Sequence, residues 1–192
     1  MSKIDPFLKK KWDRIFYTFF DLNRSGEIDW NDFEILFEQI KKERGADSPE
    51  YRICEEAMLM VWKGLLNAAK GLDEFKPVPD DVVITIQEWD HIWENYDPNH
   101  MPIWQWEYLK YMFFLLDSSG DKFIDAKEYS HVMKIYGQNE KDSTAAFKKF
   151  AVGDDGKPLE QIDYGQFVKR WREYWTSKDK KSPGNYLFGP NV

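Results

Sequence analysis

Cysteine and histidine are both scarce in this sequence. The one cysteine among 192 residues, Cys54, cannot form an internal disulfide. Its place in the apolar run RICEEAMLMVW indicates a small buried side chain in a reducing compartment. None of the three histidines has the serine or cysteine partner that nucleophilic catalysis requires. The sequence therefore does not predict an enzyme.

Long uncharged apolar runs and an excess of basic residues are also missing. No stretch approaches the roughly 20 apolar residues of a membrane helix. Acidic residues outnumber basic ones by 34 to 27, for a net charge of -7, which disfavours nucleic acid and anionic membranes as partners. We therefore expect a cytoplasmic monomer without membrane insertion or nucleic-acid binding, whose small partners are cations.

Aromatic residues are abundant, with 14 Phe, 10 Tyr and 9 Trp, and they predict a large aromatic core. Four twelve-residue windows share isoleucine at position 8 and an aromatic residue directly after position 12. The windows are DLNRSGEIDWND (21–32), PVPDDVVITIQE (77–88), DSSGDKFIDAKE (117–128) and DGKPLEQIDYGQ (155–166). Apolar residues recur at three- and four-residue steps on both sides of each window, which predicts a helix before and after each loop.

The four windows predict an all-α fold of EF-hand type. The inward-facing position-8 isoleucines allow the backbones of two loops to pair through a short two-stranded β link. We expect two pairs of helix-loop-helix units packed into one compact globule, the first pair covering 1–97 and the second 98–176. The tail, 177–192, ends in an apolar YLF segment that we expect to dock on the core.

The third window has the spacing of a calcium loop. Calcium takes six to eight oxygens, and an EF-hand supplies them from positions 1, 3, 5, 7 (through its carbonyl), 9 and 12. The third window has an oxygen at each of these positions. The predicted ligands are Asp117, Ser119, Asp121, the carbonyl of Phe123, Asp125 through water, and Glu128 with both carboxylate oxygens.

One residue of the third window departs from the usual pattern. Position 6 favours glycine because its backbone is left-handed, and here it is Lys122. A lysine adopts that conformation at a cost of about 1–2 kcal/mol. The four carboxylates of the loop attract a divalent ion strongly enough to offset this cost. We therefore predict a weakened site, not a missing one.

The first window has a complete set of oxygens with a shorter last ligand. The predicted ligands are Asp21, Asn23, Ser25, the carbonyl of Glu27, Asp29 and Asp32. Gly26 meets the turn requirement at position 6. Because Asp32 is one methylene shorter than glutamate, it binds through one oxygen or draws its helix inward, and lower coordination shifts preference toward Mg2+. The sequence predicts a mixed Ca2+/Mg2+ site here, and two bound ions in all.

The second and fourth windows lack complete oxygen sets. The second begins with Pro77 and has Pro79 at position 3, although a shifted register through Asp80 and Asp81 stays open. The fourth has lysine and leucine at positions 3 and 5, and Gln166 at position 12. We expect both loops to brace the working loops without binding calcium. Acidic, serine-rich stretches are usually just solvated turns, but two complete sets between periodic helices favour metal loops.

Segments along almost the whole chain resemble the invertebrate sarcoplasmic calcium-binding protein family, and within it the calexcitin group. They are FFDLNRSGEIDWNDFE, DSSGDKFIDAKEYS, YGQNEKDSTAAF, RWREYW and GNYLFGP, in that order. The resemblance implies a four-hand helical fold with the tail tucked between its halves, and calcium signalling that acts on ion channels. It does not carry over nucleotide binding, because the sequence has no GxxxxGK[ST] phosphate loop.

Two other functions stay open beside an intracellular calcium buffer or relay. A calcium sensor would expose a groove for target helices, typically a methionine-rich one, but six Met against 33 aromatic residues favours a closed core. A luciferin-binding protein or photoprotein would have a similar length and aromatic content. Such proteins typically keep a working fourth hand, which this sequence lacks.

Overall fold

The computed structural model of the chain describes residues 4–94 and 96–190. The described helices are α1 (Pro6–Ile15), α2 (Trp30–Arg44), α3 (Pro49–Lys70), α4 (Ile86–Glu94), α5 (Ile103–Leu116), α6 (Ala126–Met133), α7 (Glu140–Phe150) and α8 (Tyr164–Thr176). The strands are β1 (Glu27–Ile28), β2 (Ile84–Thr85), β3 (Phe123–Asp125) and β4 (Gln161–Asp163). A π-helical turn, Phe16–Phe20, continues α1, and a 3-10 turn covers Pro183–Tyr186. Residues 1–3, 95, 191 and 192 of the predicted ranges lie outside the described residues.

The helix-loop-helix prediction is confirmed. Each of the four windows follows one helix and leads into the next, and the all-α fold class holds with two small antiparallel sheets. The sheets join the loops in the predicted pairs. Ile28 lies opposite Ile84 in the first sheet, and Ile124 lies opposite Ile162 in the second. All four isoleucines are at most 1% exposed, so the position-8 side chains anchor each pair of loops in the core.

Side chains within the loops begin the helices that leave them. Asp29 caps α2 by accepting the backbone N–H of Asp32, whose own side chain bonds the Asp29 backbone in return. Asp125 and Glu128 form the same reciprocal capping box at the start of α6. Each box satisfies two of the N–H groups that a helix start leaves without partners. The residues predicted to bind metal therefore also define where these helices begin.

Contacts divide the described chain into two units. The first contains Asp13–Tyr111, and the second contains Asp5–Trp12 together with the residues from Met112 onward. These units differ from the ranges 1–97 and 98–176, which stay a prediction, because α1 and α5 each contribute residues to both units. The loops keep their predicted grouping, with the first and second in one unit and the third and fourth in the other.

Aromatic rings bracket the first loop within the first unit. Phe20 directly precedes the loop and Phe33 directly follows it, with their ring centroids 6.2 Å apart. Phe20 also packs against Trp89, which follows the second loop, at 5.7 Å. Because these rings are at most 3% exposed, the ends of both loops in this unit are held by buried packing.

The end of the chain packs within the second unit. The Phe188 ring contacts those of Trp171 and Tyr174, with centroids 5.2 and 4.7 Å away. The hydroxyl of Tyr129 donates to the Leu187 carbonyl at 2.9 Å. Leu187 and Phe188 are each 2% exposed. The apolar YLF segment therefore contributes to the core that supports α6 and α8.

No helix within residues 4–94 and 96–190 is both long enough and apolar enough to span a bilayer.

Candidate metal centre

Backbone amides orient the first half of the first loop. The carboxylate of Asp21, 3% exposed, accepts the N–H of Ser25 at 2.9 Å and that of Gly26 at 3.1 Å. The side-chain oxygen of Asn23 accepts the same Ser25 N–H at 2.8 Å. The Ser25 hydroxyl donates to the carbonyl of Glu27 at 3.0 Å. Positions 1, 3, 5 and 7 of the loop are thus joined in one hydrogen-bond network.

Asp32, at position 12, closes the first loop from the other side. Its two oxygens accept the N–H of Asn23 and that of Asp29, each at 2.9 Å. Burial raises the pKa of Asp32 to about 6, and the charges of Asp29 and Asp21 add to the increase, although the two backbone hydrogen bonds oppose it. Asp29 and Asp21 therefore lie close enough to Asp32 to disfavour its charged form, and a cation among the three would favour it.

Both candidate loops turn through left-handed backbone at two positions. In the first loop these are Arg24 (φ 60°) and Gly26 (φ 87°), at positions 4 and 6. In the third they are Gly120 (φ 75°) and Lys122 (φ 71°). Each loop therefore has one glycine and one non-glycine residue with strained backbone. The non-glycine residue stands at position 4 in the first loop and at position 6 in the third. The left-handed turn at position 6 was predicted from the sequence and the one at position 4 was not, although Gly120 was a visible signal for it and Arg24 was not.

The third loop contains a buried carboxylate oxygen without a partner. Asp117 accepts the N–H of Lys122 through Oδ2 at 3.1 Å. Its Oδ1 is buried and forms no hydrogen bond with a described residue. Asp121 accepts the N–H of Phe123 at 2.8 Å, which orients the carboxylate at position 5. A buried anionic oxygen with no donor is costly, and a bound cation would supply the missing charge.

Glu128 closes the third loop as Asp32 closes the first. One oxygen accepts the N–H of Ser119 at 2.9 Å, and the other accepts the N–H of Asp125 at 3.2 Å. The hydroxyl of Ser118 adds a longer contact to Glu128 at 3.3 Å. The backbone N–H groups of positions 3 and 9 thus donate to the position-12 carboxylate in both candidate loops, although the two sequences differ at most positions.

The carboxylates of the candidate loops point to amides and not to one common centre. Within the described part of the chain, no group of three or more Asp, Glu, His and Cys side chains converges closely enough to hold a metal ion by itself. The predicted ligand sets also include Asn, Ser and carbonyl oxygens. A carboxylate oxygen that accepts one N–H keeps a second lone pair for an ion, so the donor chemistry fits a hard cation.

Lysine contacts the position-12 carboxylate of the second loop. Glu88 forms an ion pair with Lys70, 18 residues earlier on α3, and accepts the backbone and hydroxyl of Thr85 at 2.9 and 3.0 Å. Burial alone would raise the pKa of Glu88, but the hydrogen bonds from Lys70 and Thr85 outweigh it and lower the pKa below its ordinary value. The carboxylate that a calcium ion would need thus already has a cation.

The fourth loop also pairs its acids with lysine. Asp155, at position 1, lies 2.9 Å from the ammonium of Lys157 at position 3, and Asp154 pairs with Lys169 of α8. Gln166, at position 12, accepts the N–H of Asp163. This loop therefore has the capping geometry of its relatives, but its position-1 carboxylate is paired with lysine and its position-12 side chain is a neutral amide.

Comparisons with known proteins identify full-length relatives. Calexcitin-1 of Caenorhabditis elegans is 34% identical over 98% of this chain and 89% of its own length. Sarcoplasmic calcium-binding proteins I, III and IV of Branchiostoma lanceolatum are 25% identical over 97% of this chain and 98% of theirs. No family model matches the chain.

A solved structure shares the fold. The structure of a sarcoplasmic calcium-binding protein from amphioxus matches 98% of this chain and 100% of its own, with a TM-score of 0.75 and 24% identity. The likeness extends along all four helix-loop-helix units, and at this identity it supports the fold alone.

Proposed function

The chain belongs to the family of the calexcitins and sarcoplasmic calcium-binding proteins, and we propose that it is a non-catalytic EF-hand protein that buffers or relays calcium transients in the cytoplasm. We propose further that it acts as a monomer with two working sites, in the first and third loops. The relatives are named as calcium-binding proteins and cover both this chain and themselves almost completely. The assignment of sites to particular loops comes from this chain's own residues.

The main observation that supports a calcium site in the third loop is the unpartnered oxygen of Asp117. A calcium ion there would be held by Asp117, Ser119, Asp121, the carbonyl of Phe123, Asp125 through water, and Glu128. Asp117 and Glu128 come from opposite ends of the loop, where Lys122 and Ser119 amides already orient them. An ion would supply the positive charge that the buried Oδ1 of Asp117 lacks.

The first loop supports a second, less selective site. Its proposed ligands are Asp21, Asn23, Ser25, the carbonyl of Glu27, Asp29 and Asp32. Burial is the main cause of the raised pKa of Asp32, and the charges of Asp29 and Asp21 add to it. A divalent ion bound among these acids would stabilise their charged forms. Because the last ligand is an aspartate, we propose that Mg2+ competes with Ca2+ at this loop.

Calorimetric titration tests both the number and the selectivity of the sites. Chelator-treated protein is titrated with Ca2+, once alone and once in millimolar Mg2+. We expect two ions to bind without Mg2+, and one of the two affinities to fall when Mg2+ is present. Uptake of no ion, or of three or more, would contradict the two-site assignment. Two sites with no sensitivity to Mg2+ would contradict the mixed character of the first loop.

A further inference from the structure

A surface groove runs between α2 and α3 in the first unit and reaches the first and second loops at one end. It consists of two adjoining clefts of about 690 and 700 Å³, which share Trp30 and Leu59 in their walls. The first cleft continues to Trp62 and to the segment Val78–Val83, and the second continues along α3 to Tyr51. We refer to the two clefts together as the α2–α3 groove.

The floor of the groove is apolar and partly open to solvent. Leu59 lines both clefts and is 40% exposed, although it follows the buried Met58 on the same helix. Trp62 lines the first cleft and is 1% exposed. Its ring therefore forms the buried base of the cleft beneath the more open Leu59. Open apolar surface of this kind is typical of a binding site.

The rim of the groove is acidic. The second cleft has Glu34 and Glu38 on its α2 side and Glu55 and Glu56 on its α3 side. The first cleft adds three aspartates, Asp29, Asp80 and Asp81. No lysine or arginine is among the described residues that line either cleft. The groove therefore combines apolar floor and negative edges along its whole length.

A neighbouring lysine shows which chemistry this rim accepts. Lys41 lies at the Tyr51 end, where its ammonium is 3.2 Å from Glu38 and 5.9 Å from the centroid of the Tyr51 ring. Glu34 and Glu56 have no such ion pair with a described residue. One end of the groove thus already holds an ammonium over an aromatic ring, beside Glu38, whereas Glu34 and Glu56 remain for the cations of a partner.

We propose that the α2–α3 groove docks a basic amphipathic helix of a partner protein. Along α3 the groove extends from Tyr51 to Trp62, about 17 Å at 1.5 Å per residue, which matches three turns of a helix. Apolar side chains of the partner would pack on Leu59 and Trp30, and its lysines or arginines would lie along the glutamate rim. The groove touches the first loop at Asp29, but Leu59 and the glutamate rim lie on α2 and α3, and the inference does not rest on occupied metal loops.

Charge separates this occupant from the alternatives. A second copy of the chain would bring its own net charge of -7 against an acidic rim, and an anionic membrane would be repelled in the same way. A basic helix is attracted by the rim and covers the apolar floor. A basic helix, a second copy of the chain and an anionic membrane should therefore behave differently in the same binding measurements.

The probe is a fluorescein-labelled fifteen-residue helix of leucine and lysine, with the leucines on one face. Its control has glutamate in place of every lysine. Fluorescence anisotropy follows binding to the full chain at low salt, in calcium and again in EDTA. We expect the lysine peptide to bind in at least one condition, more weakly as salt rises, and the glutamate peptide not to bind.

Matched variants locate the binding surface. Neutralising the rim with Glu34→Gln, Glu55→Gln and Glu56→Gln together should weaken the lysine peptide about tenfold. The control neutralises three exposed acids away from the groove. These control positions are Glu74, Glu140 and Glu160.

The apolar floor has a neighbouring control. Leu59→Ser should weaken the peptide about fivefold. Met60→Ser, one residue later and 49% exposed but outside both clefts, should leave binding unchanged.

Several outcomes would overturn the proposal. They are no binding of the lysine peptide in either condition, equal binding of the glutamate peptide, or equal losses in the groove and control variants. A dimer in sedimentation that Leu59→Ser dissociates would assign the groove to a second copy instead. Since ion uptake is measured separately by calorimetry, failure of the groove and failure of the metal sites are distinguishable.

Discussion

The first and third loops differ from the second and fourth in what their carboxylates contact. In the first and third loops, the position-12 carboxylates of Asp32 and Glu128 accept the backbone N–H groups of positions 3 and 9. In the second loop, Glu88 is paired with a lysine of α3, and in the fourth, Asp155 is paired with Lys157. All four loops share the helix-loop-helix frame and the isoleucine pairing. The frame therefore forms in loops with and without a complete set of oxygens, and we propose that local charge distinguishes the loops that bind an ion.

Position 12 should give the largest difference between the two kinds of loop. Glu128→Gln removes a charge and a strong ligand, and we expect the calcium affinity of the third loop to fall on the order of 100-fold. Asp117→Ala should abolish calcium binding at the third loop, so that the variant binds a single ion. The same change in the second loop, Glu88→Gln, should not alter ion uptake, because that carboxylate serves a lysine. Calorimetry on the three variants measures this, and similar losses in Glu128→Gln and Glu88→Gln would erase the distinction.

Lengthening the last ligand of the first loop should make it resemble the third. Asp32→Glu offers calcium a second oxygen, and we expect the calcium affinity of this loop to rise about tenfold while Mg2+ competition declines. Calcium titration in Mg2+ measures both changes. The third loop, in the same molecule, is the internal control. Because Asp32 is 1% exposed, circular dichroism must show that the longer side chain is accommodated, and an unchanged response to Mg2+ would contradict the role of its length.

Exchanging the residues at position 6 should change the two candidate loops in opposite directions. Lys122→Gly removes left-handed strain of about 1–2 kcal/mol, so calcium should bind the third loop about 5 to 30 times more tightly. Gly26→Ala introduces that strain into the first loop without a steric clash, because a Cβ there would meet no atom within 4 Å. The calcium affinity of the first loop should fall by a comparable factor. Calcium titrations check both variants, and changes of the same sign would show that backbone strain is not the controlling factor.

The smallest effect should come from the α3 lysine that pairs with the second loop. Lys70→Met removes the partner of Glu88 and should lower the free energy of unfolding by about 0.5 kcal/mol, because the pair is partly exposed to solvent. No third ion should bind, since Pro77 and Pro79 supply no side-chain oxygen.

The contribution of this ion pair should depend on pH. The folded pKa of Glu88 lies below the ordinary 4.5, so the contribution is fully present above 4.5 and is lost as the pH falls through the folded value. Urea unfolding of both proteins between pH 3 and 7 checks this. A stability difference that grows on acidification would refute it.

The repeated isoleucine windows made much of the architecture predictable. Ile28, Ile84, Ile124 and Ile162 pair as expected from their position in the windows, because a residue at a constant place in a repeat occupies a constant place in the fold. The helix starts were not predicted, although Asp29 and Asp125 precede Asp32 and Glu128 by the three residues of a capping box.

Other features depend on contacts that no local pattern shows. The pair of Lys70 and Glu88 joins residues 18 positions apart, and neither residue has a feature in the sequence that marks the other. The left-handed backbone of Arg24 was equally hidden, because arginine has no preference for that conformation. The assignment of Asp5–Trp12 to the second unit likewise reflects packing with residues more than 100 positions later.

The amino-acid sequence by itself determined which loops carry a complete set of oxygens, because all the ligands of one loop lie within twelve consecutive residues. It also determined the helix-loop-helix repeat, since apolar spacing is a local property. Only the tertiary structure decided where Lys70 places its charge, how Tyr129 holds the chain end through Leu187, and that the groove beside Leu59 has an acidic rim. These features need side chains from separate helices to meet, and folding alone brings them together.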